Sequence, residues 1–105
     1  MYWEKLKEIE EEYERIKERI REIEERLKGL PSGHIEAKKI GNNIYYYLRY
    51  WEDGRLKSKY LGKDPSKVQE MLKEAEQLRR ELSDLKSRAS KYSLLIKKIE
   101  KILSS

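Results

Sequence analysis

Two uninterrupted apolar stripes of helical period dominate this chain, and they limit it to folds in which two long helices find partners. The first stripe comprises Tyr2, Leu6, Ile9, Tyr13, Ile16, Ile20, Ile23, Leu27 and Leu30, with steps alternating between four and three. Every position between them except Trp3 and Gly29 is charged, so the segment reads as one helix over residues 2–29 with a single adhesive seam. At 1.5 Å per residue it makes a rod of roughly 40 Å. Gly29, Pro31 and Gly33 then force the chain to turn.

The second helix is predicted over residues 64–103. It opens at Asp64-Pro65, where the carboxylate caps the first turn and the proline supplies a preset φ without needing its missing N–H. Its stripe is Val68, Met71, Ala75, Leu78, Leu82, Leu85, Ala89, Tyr92, Ile96, Ile99 and Leu103. Matching helix lengths from the turn side predicts an antiparallel coiled coil with Tyr2 and Trp3 opposite Ala89–Tyr92. About a dozen residues of helix two would then overhang, given the common rise per residue. Ser87, Ser90 and Ser93 weaken helix propensity there and admit a bend over residues 87–93. The apolar side chains beyond need cover, either by folding back onto Trp3 or by a second copy. A homodimer through Tyr92, Leu95, Ile96, Ile99 and Leu103 is the expectation.

Residues 34–62 change period. The aromatic run Ile44–Trp51 and the run Arg55–Leu61 flank the turn signal Glu52-Asp53-Gly54, and His34–Ile40 leads into Gly41-Asn42-Asn43. A three-stranded antiparallel sheet is predicted, making the fold α+β: two long helices in an antiparallel coiled coil joined by that sheet, residues 1–105 forming a single unit. Register decides which side chains share a face. A three-residue loop at Glu52-Asp53-Gly54 and a two-residue turn at Asn42-Asn43 place Ile35, Ala37, Ile44, Tyr46, Leu48, Tyr50, Leu56 and Tyr60 on one face. The other then carries Lys38, Tyr45, Tyr47, Arg49, Trp51, Arg55, Lys57 and Lys59, together with Glu36. A two-residue Asp53-Gly54 loop would instead move Lys57 and Lys59 to the first face.

Cations interleaved with aromatic rings suit phosphate neutralisation and base stacking. Charge supports the same location: residues 29–63 hold seven basic and three acidic residues, net +4, whereas residues 2–28 hold eight and ten, net −2. The structural alternative is that the rings supply cross-strand contacts and the lysines guard edge strands.

The stretch Tyr45-Tyr46-Tyr47-Leu48-Arg49-Tyr50, then Asp53-Gly54-Arg55-Leu56-Lys57-Ser58-Lys59-Tyr60-Leu61-Gly62, then Asp64-Pro65 and a helix bearing Glu74-Ala75 and Leu78-Arg79, resembles the arm-type DNA-binding domain of phage-type integrases. That resemblance covers about a third of the chain and implies a sheet that enters DNA. It implies Arg49, Arg55, Lys57 and Lys59 as readers, with Tyr45, Tyr47 and Trp51 beside them. The first helix has no counterpart there, and no room exists for a recombinase catalytic domain. Over most of its length the chain also resembles small prokaryotic proteins built as helix, Tyr-rich hairpin and helix, a likeness that implies no activity.

Composition narrows the function classes. Charged residues make up 43% of 105 residues, with no Cys, no Phe and one His, so neither a thiolate site nor a paired-imidazole metal site can form. The acidic runs Glu10–Glu12 and Glu24-Glu25 lie among Lys and Arg at helical spacing and read as a solvated face. Gly62-Lys63-Asp64-Pro65-Ser66 lacks the spacing of a phosphate loop. The expectation is a cytoplasmic, non-enzymatic nucleic-acid-binding protein that favours DNA over RNA and uses no metal, cofactor, small-molecule substrate or membrane. The alternative is a coiled-coil protein-interaction scaffold or oligomerisation module.

Overall fold

The structure is a computed structural model that describes residues 2–104. Helix α1 spans Tyr2–Lys28, strands β1 His34–Ile40, β2 Asn43–Glu52 and β3 Arg55–Gly62 follow, and helix α2 spans Ser66–Ser104. The strands form one antiparallel sheet in the order β1-β2-β3. The class is α+β, as the alternation of periods predicts. The chain divides into two compact units: α1 with α2 from Leu78 onward, and Gly29–Gln77.

In the helical unit the seams do what their spacing requires. Ile16, Ile23 and Leu85 are buried together, and Ile20, Leu27, Leu78, Leu82, Ala89 and Tyr92 pack against them. Leu6 and Ile96 are buried as well, while the side chain of Tyr2, first in the predicted seam, lies outside the described residues. Arg19 donates to Glu81 through Nε at 2.6 Å and Nη2 at 3.2 Å, and Arg88 lies 3.6 Å from Glu12. These pairs make the helices antiparallel: seven residues back along α1 correspond to seven forward along α2.

That register corrects the length-matched alignment. Nine residues before Glu12 is Trp3 and nine after Arg88 is Lys97, and the Lys86–Glu24 pair at 3.6 Å shifts the match further toward the end of α2, so Trp3 lies at or beyond the level of Lys97 and not at Ala89–Tyr92. The overhang is correspondingly short. Within a single chain Tyr92 is already packed in the cluster and Ile96 is buried, while Ile99 is half-buried and Leu95 and Leu103 remain exposed. Helix α2 is continuous through Ser87, Ser90 and Ser93. Their propensity cost is a few tenths of a kcal/mol each, less than burial of the flanking seam side chains returns.

Beyond the turn, Asp64 accepts a hydrogen bond from the Ser66 amide at 3.0 Å, and the Gln69 amide donates to the Pro65 carbonyl at 2.9 Å. Asp64 therefore caps the amide of Ser66, the first residue of α2, and Pro65 leads into it, so the helix starts beside the predicted Asp64-Pro65 signal. Among the described residues, no helix is long and apolar enough to cross a membrane.

Candidate nucleic-acid interface

Turn chemistry sets the two faces of the sheet. Asp53 and Gly54 both have positive φ, 52° and 74°, and Glu52 pairs with Arg55. This is a two-residue hairpin with the φ signs of a type I′ turn, whose backbone twist matches that of the flanking strands. The three-residue loop is thereby overturned. At the other end Ile40 pairs with Asn43 across Gly41-Asn42, with Gly41 at φ 64°, so the turn lies one residue earlier than Asn42-Asn43. Glycine at the first central position relieves the steric cost of that φ.

The two-residue loop slides β3 by one position and inverts its side chains. Arg55, Lys57 and Lys59 pair with Glu52, Tyr50 and Leu48, and Lys57 Nζ lies 3.6 Å from Glu52. They therefore share the face of buried Leu48 and half-buried Tyr46 and Tyr50. On that face Leu30, Pro31, Leu48, Tyr50 and Lys59 border a groove of about 370 Å³.

The opposite face keeps Lys38, Tyr45, Tyr47, Arg49 and Trp51 of the expected set and gains Leu56, Ser58 and Tyr60 from β3. Leu61 is the extra residue of a bulge, because Tyr46 pairs with Gly62 while Tyr47 pairs with Tyr60. Tyr60 consequently sits among the rings: its centroid is 5.3 Å from that of Tyr47 and 6.2 Å from that of Tyr45, tilted by 54° and 44°. Cations flank this trio. Lys38 Nζ lies 5.7 Å from the Tyr47 centroid, and Lys63 Nζ 5.7 Å from that of Tyr45 while donating to Asn43 Oδ1 at 3.3 Å. Such approaches are favourable cation–π geometry.

Arg49 completes the cationic set. Its Nε is buried without a hydrogen-bond partner, and its Nη1 is 3.8 Å from Glu36, too long for a hydrogen bond. One third of the side chain stays exposed, at 34%. With Glu36, Lys38, Tyr47 and Ser58 it lines a cup of about 230 Å³. His34 Nε2 lies 3.1 Å from Glu36, so this carboxylate is the negative centre of the face. Trp51 is 69% exposed and Tyr60 56%, whereas Tyr45 and Tyr47 are half-buried.

Sequence reasoning missed Tyr60 and Lys63. The signal for Tyr60 was present: Asp53-Gly54 is among the strongest two-residue hairpin signatures, and accepting it inverts β3. The bulge that carries the chain on to Lys63 has no comparable marker. Among the described residues, no group of three or more His, Asp or Glu side chains is placed to hold a metal ion.

The family model described as Domain of unknown function (DUF6788) matches residues 13–70, from the middle of α1 through the whole sheet to the first turns of α2. No curated protein and no solved structure matches the chain.

Proposed function

The chain belongs to the DUF6788 family, and we propose that it is a cytoplasmic, non-enzymatic nucleic-acid-binding protein, DNA favoured, whose interface is the Tyr45–Tyr47–Tyr60 face of the sheet. The observation that carries this reading is the ring trio, exposed at Tyr60, half-buried at Tyr45 and Tyr47, and bordered by Lys38, Lys63 and the under-used donors of Arg49. Rings offer stacking surface to bases, and the three cations offer charge to phosphates. Preference for DNA rests on the likeness of the hairpin to integrase arm domains. Lys39, Arg55, Lys57 and Lys59 project from the other face and contribute to the field, not to the contact surface.

The experiment is a fluorescence-anisotropy titration of the protein against labelled DNA and RNA over a series of salt concentrations. Three phosphate contacts give a slope of log K against log salt near about −2 for single strands and about −3 for duplex. Lys38→Ala flattens the slope by roughly one contact's worth. Absence of salt-sensitive binding to any polymer at low salt overturns the proposal.

A second reading, self-association, is favoured by Leu94, Leu95 and Leu103, which are 58%, 41% and 47% exposed near the end of α2. The occupant would be a second copy of the same seam, giving a dimer with two sheets. Sedimentation of the protein against its Leu95→Glu variant tests it: a dimer that dissociates in the variant supports it, and a monomer at all concentrations refutes it.

A further inference from the structure

We infer that the ring face takes an unpaired strand with its bases splayed onto the tyrosines, and not the groove of a duplex. This rests on the nucleic-acid reading above and names its substrate class. In the register with a three-residue loop, the face would carry Arg55, Lys57 and Lys59, a cation-rich surface suited to lying between the phosphate rows of a groove. The observed two-residue turn removes all three and puts Leu56, Ser58 and Tyr60 in their place. What remains is dominated by rings, with positive charge confined to Lys38, Lys63 and Arg49.

Such a surface matches only one form of nucleic acid. In a duplex the π-faces of the bases are covered by their neighbours, and a protein meets edges, sugars and phosphates. The exposed area of Tyr45, Tyr47, Tyr60 and Trp51 would then lie against groups it cannot stack on. Unpaired bases present the faces that tyrosines bind. Ring tilt makes the same selection. Neighbouring rings tilted by 54° and 44° hold any bases seated on them out of parallel, so such bases have left their own stack. The tilts also prevent the trio from offering one flat plane to the end of a helix. The flanking cations then follow the backbone of the splayed strand.

The test uses the full chain and three labelled probes in low salt: a twelve-nucleotide oligothymidine, a twelve-unit abasic strand with phosphates and sugars but no bases, and a hairpin duplex holding the same thymidine run. The inference expects the oligothymidine to bind at least about tenfold more tightly than either other probe, the weight of one stacked base. Tyr60→Leu, which keeps apolar cover but removes the ring, costs the oligothymidine about tenfold and leaves the duplex unchanged. Tyr47→Phe, which keeps the ring, retains affinity. Duplex or abasic strand binding as tightly as oligothymidine overturns the inference while leaving the nucleic-acid reading intact. Binding to none of the three removes both.

Discussion

Replacing Gly33 by alanine tests the backbone placement that delivers β1 to the sheet. Gly33 has φ 111°, and a Cβ built there would stand 2.1 Å from the Arg49 carbonyl oxygen and 3.0 Å from Tyr50 Cβ. The nearest atom is main chain, so no rotamer change relieves the contact. The β1 backbone has to withdraw by about an ångström, which breaks the His34–Arg49 end of the β1–β2 ladder. Holding a non-glycine residue at such a φ costs about 1–3 kcal/mol. Losing one or two ladder hydrogen bonds adds roughly 0.5–1.5 kcal/mol each. The expected loss is about 2–5 kcal/mol, a large part of the roughly 5–15 kcal/mol typical of a folded protein.

Gly41→Ala is the internal reference. Gly41 also has positive φ, 64°, but nothing lies within 4 Å of the place its added methyl group would take, so only the left-handed backbone cost of about 1–2 kcal/mol applies. Urea unfolding of the two variants, followed by tryptophan fluorescence and far-ultraviolet circular dichroism, measures the difference. Gly33→Ala should be the less stable by at least about 0.5 kcal/mol, the loss of one ladder hydrogen bond, because the positive-φ cost is common to both variants. Equal stabilities would refute the close approach of Gly33 to β2, and with it the geometry that seats Arg49 beside Glu36.

The face assignment predicts that Lys38→Glu weakens oligonucleotide binding far more than Lys57→Glu, although each changes net charge by the same amount; equal losses in a titration would contradict the two-residue register. Arg19 holds the Glu81 carboxyl below the usual carboxylate range through its hydrogen bonds, and the Ser66 hydrogen bonds do the same for Asp64. A depressed folded-state value means stability that is present above the unfolded carboxylate range and lost as pH falls through the lowered value. Thermal melts should therefore fall between pH 5 and pH 3, and less steeply in Glu81→Gln, where an unchanged slope would remove the Arg19 pair from the account. Ile23 is 1% exposed at the centre of the helical cluster, so Ile23→Ala should cost about 2–5 kcal/mol by chemical denaturation, and a loss under 1 kcal/mol would show the seam to be loosely packed.

Periodicity determined much of this protein without any coordinates. A seam stepping by three and four among charged residues has only one way to hide its apolar side chains, and Ile16, Ile23 and Leu85 are buried where that spacing puts them. The Asp64-Pro65 cap and the three strands were equally local matters, decided by φ preference and side-chain shape over a few residues. What only the tertiary structure decided was register. Helix alignment depends on which turns of two near-uniform seams interlock, and the Arg19–Glu81 and Glu12–Arg88 pairs moved the alignment several residues from the length match. Strand register depends on one residue more or less in a turn. With period two, that single residue exchanged Arg55, Lys57 and Lys59 for Leu56, Ser58 and Tyr60, turning an expected cationic face into a tyrosine platform.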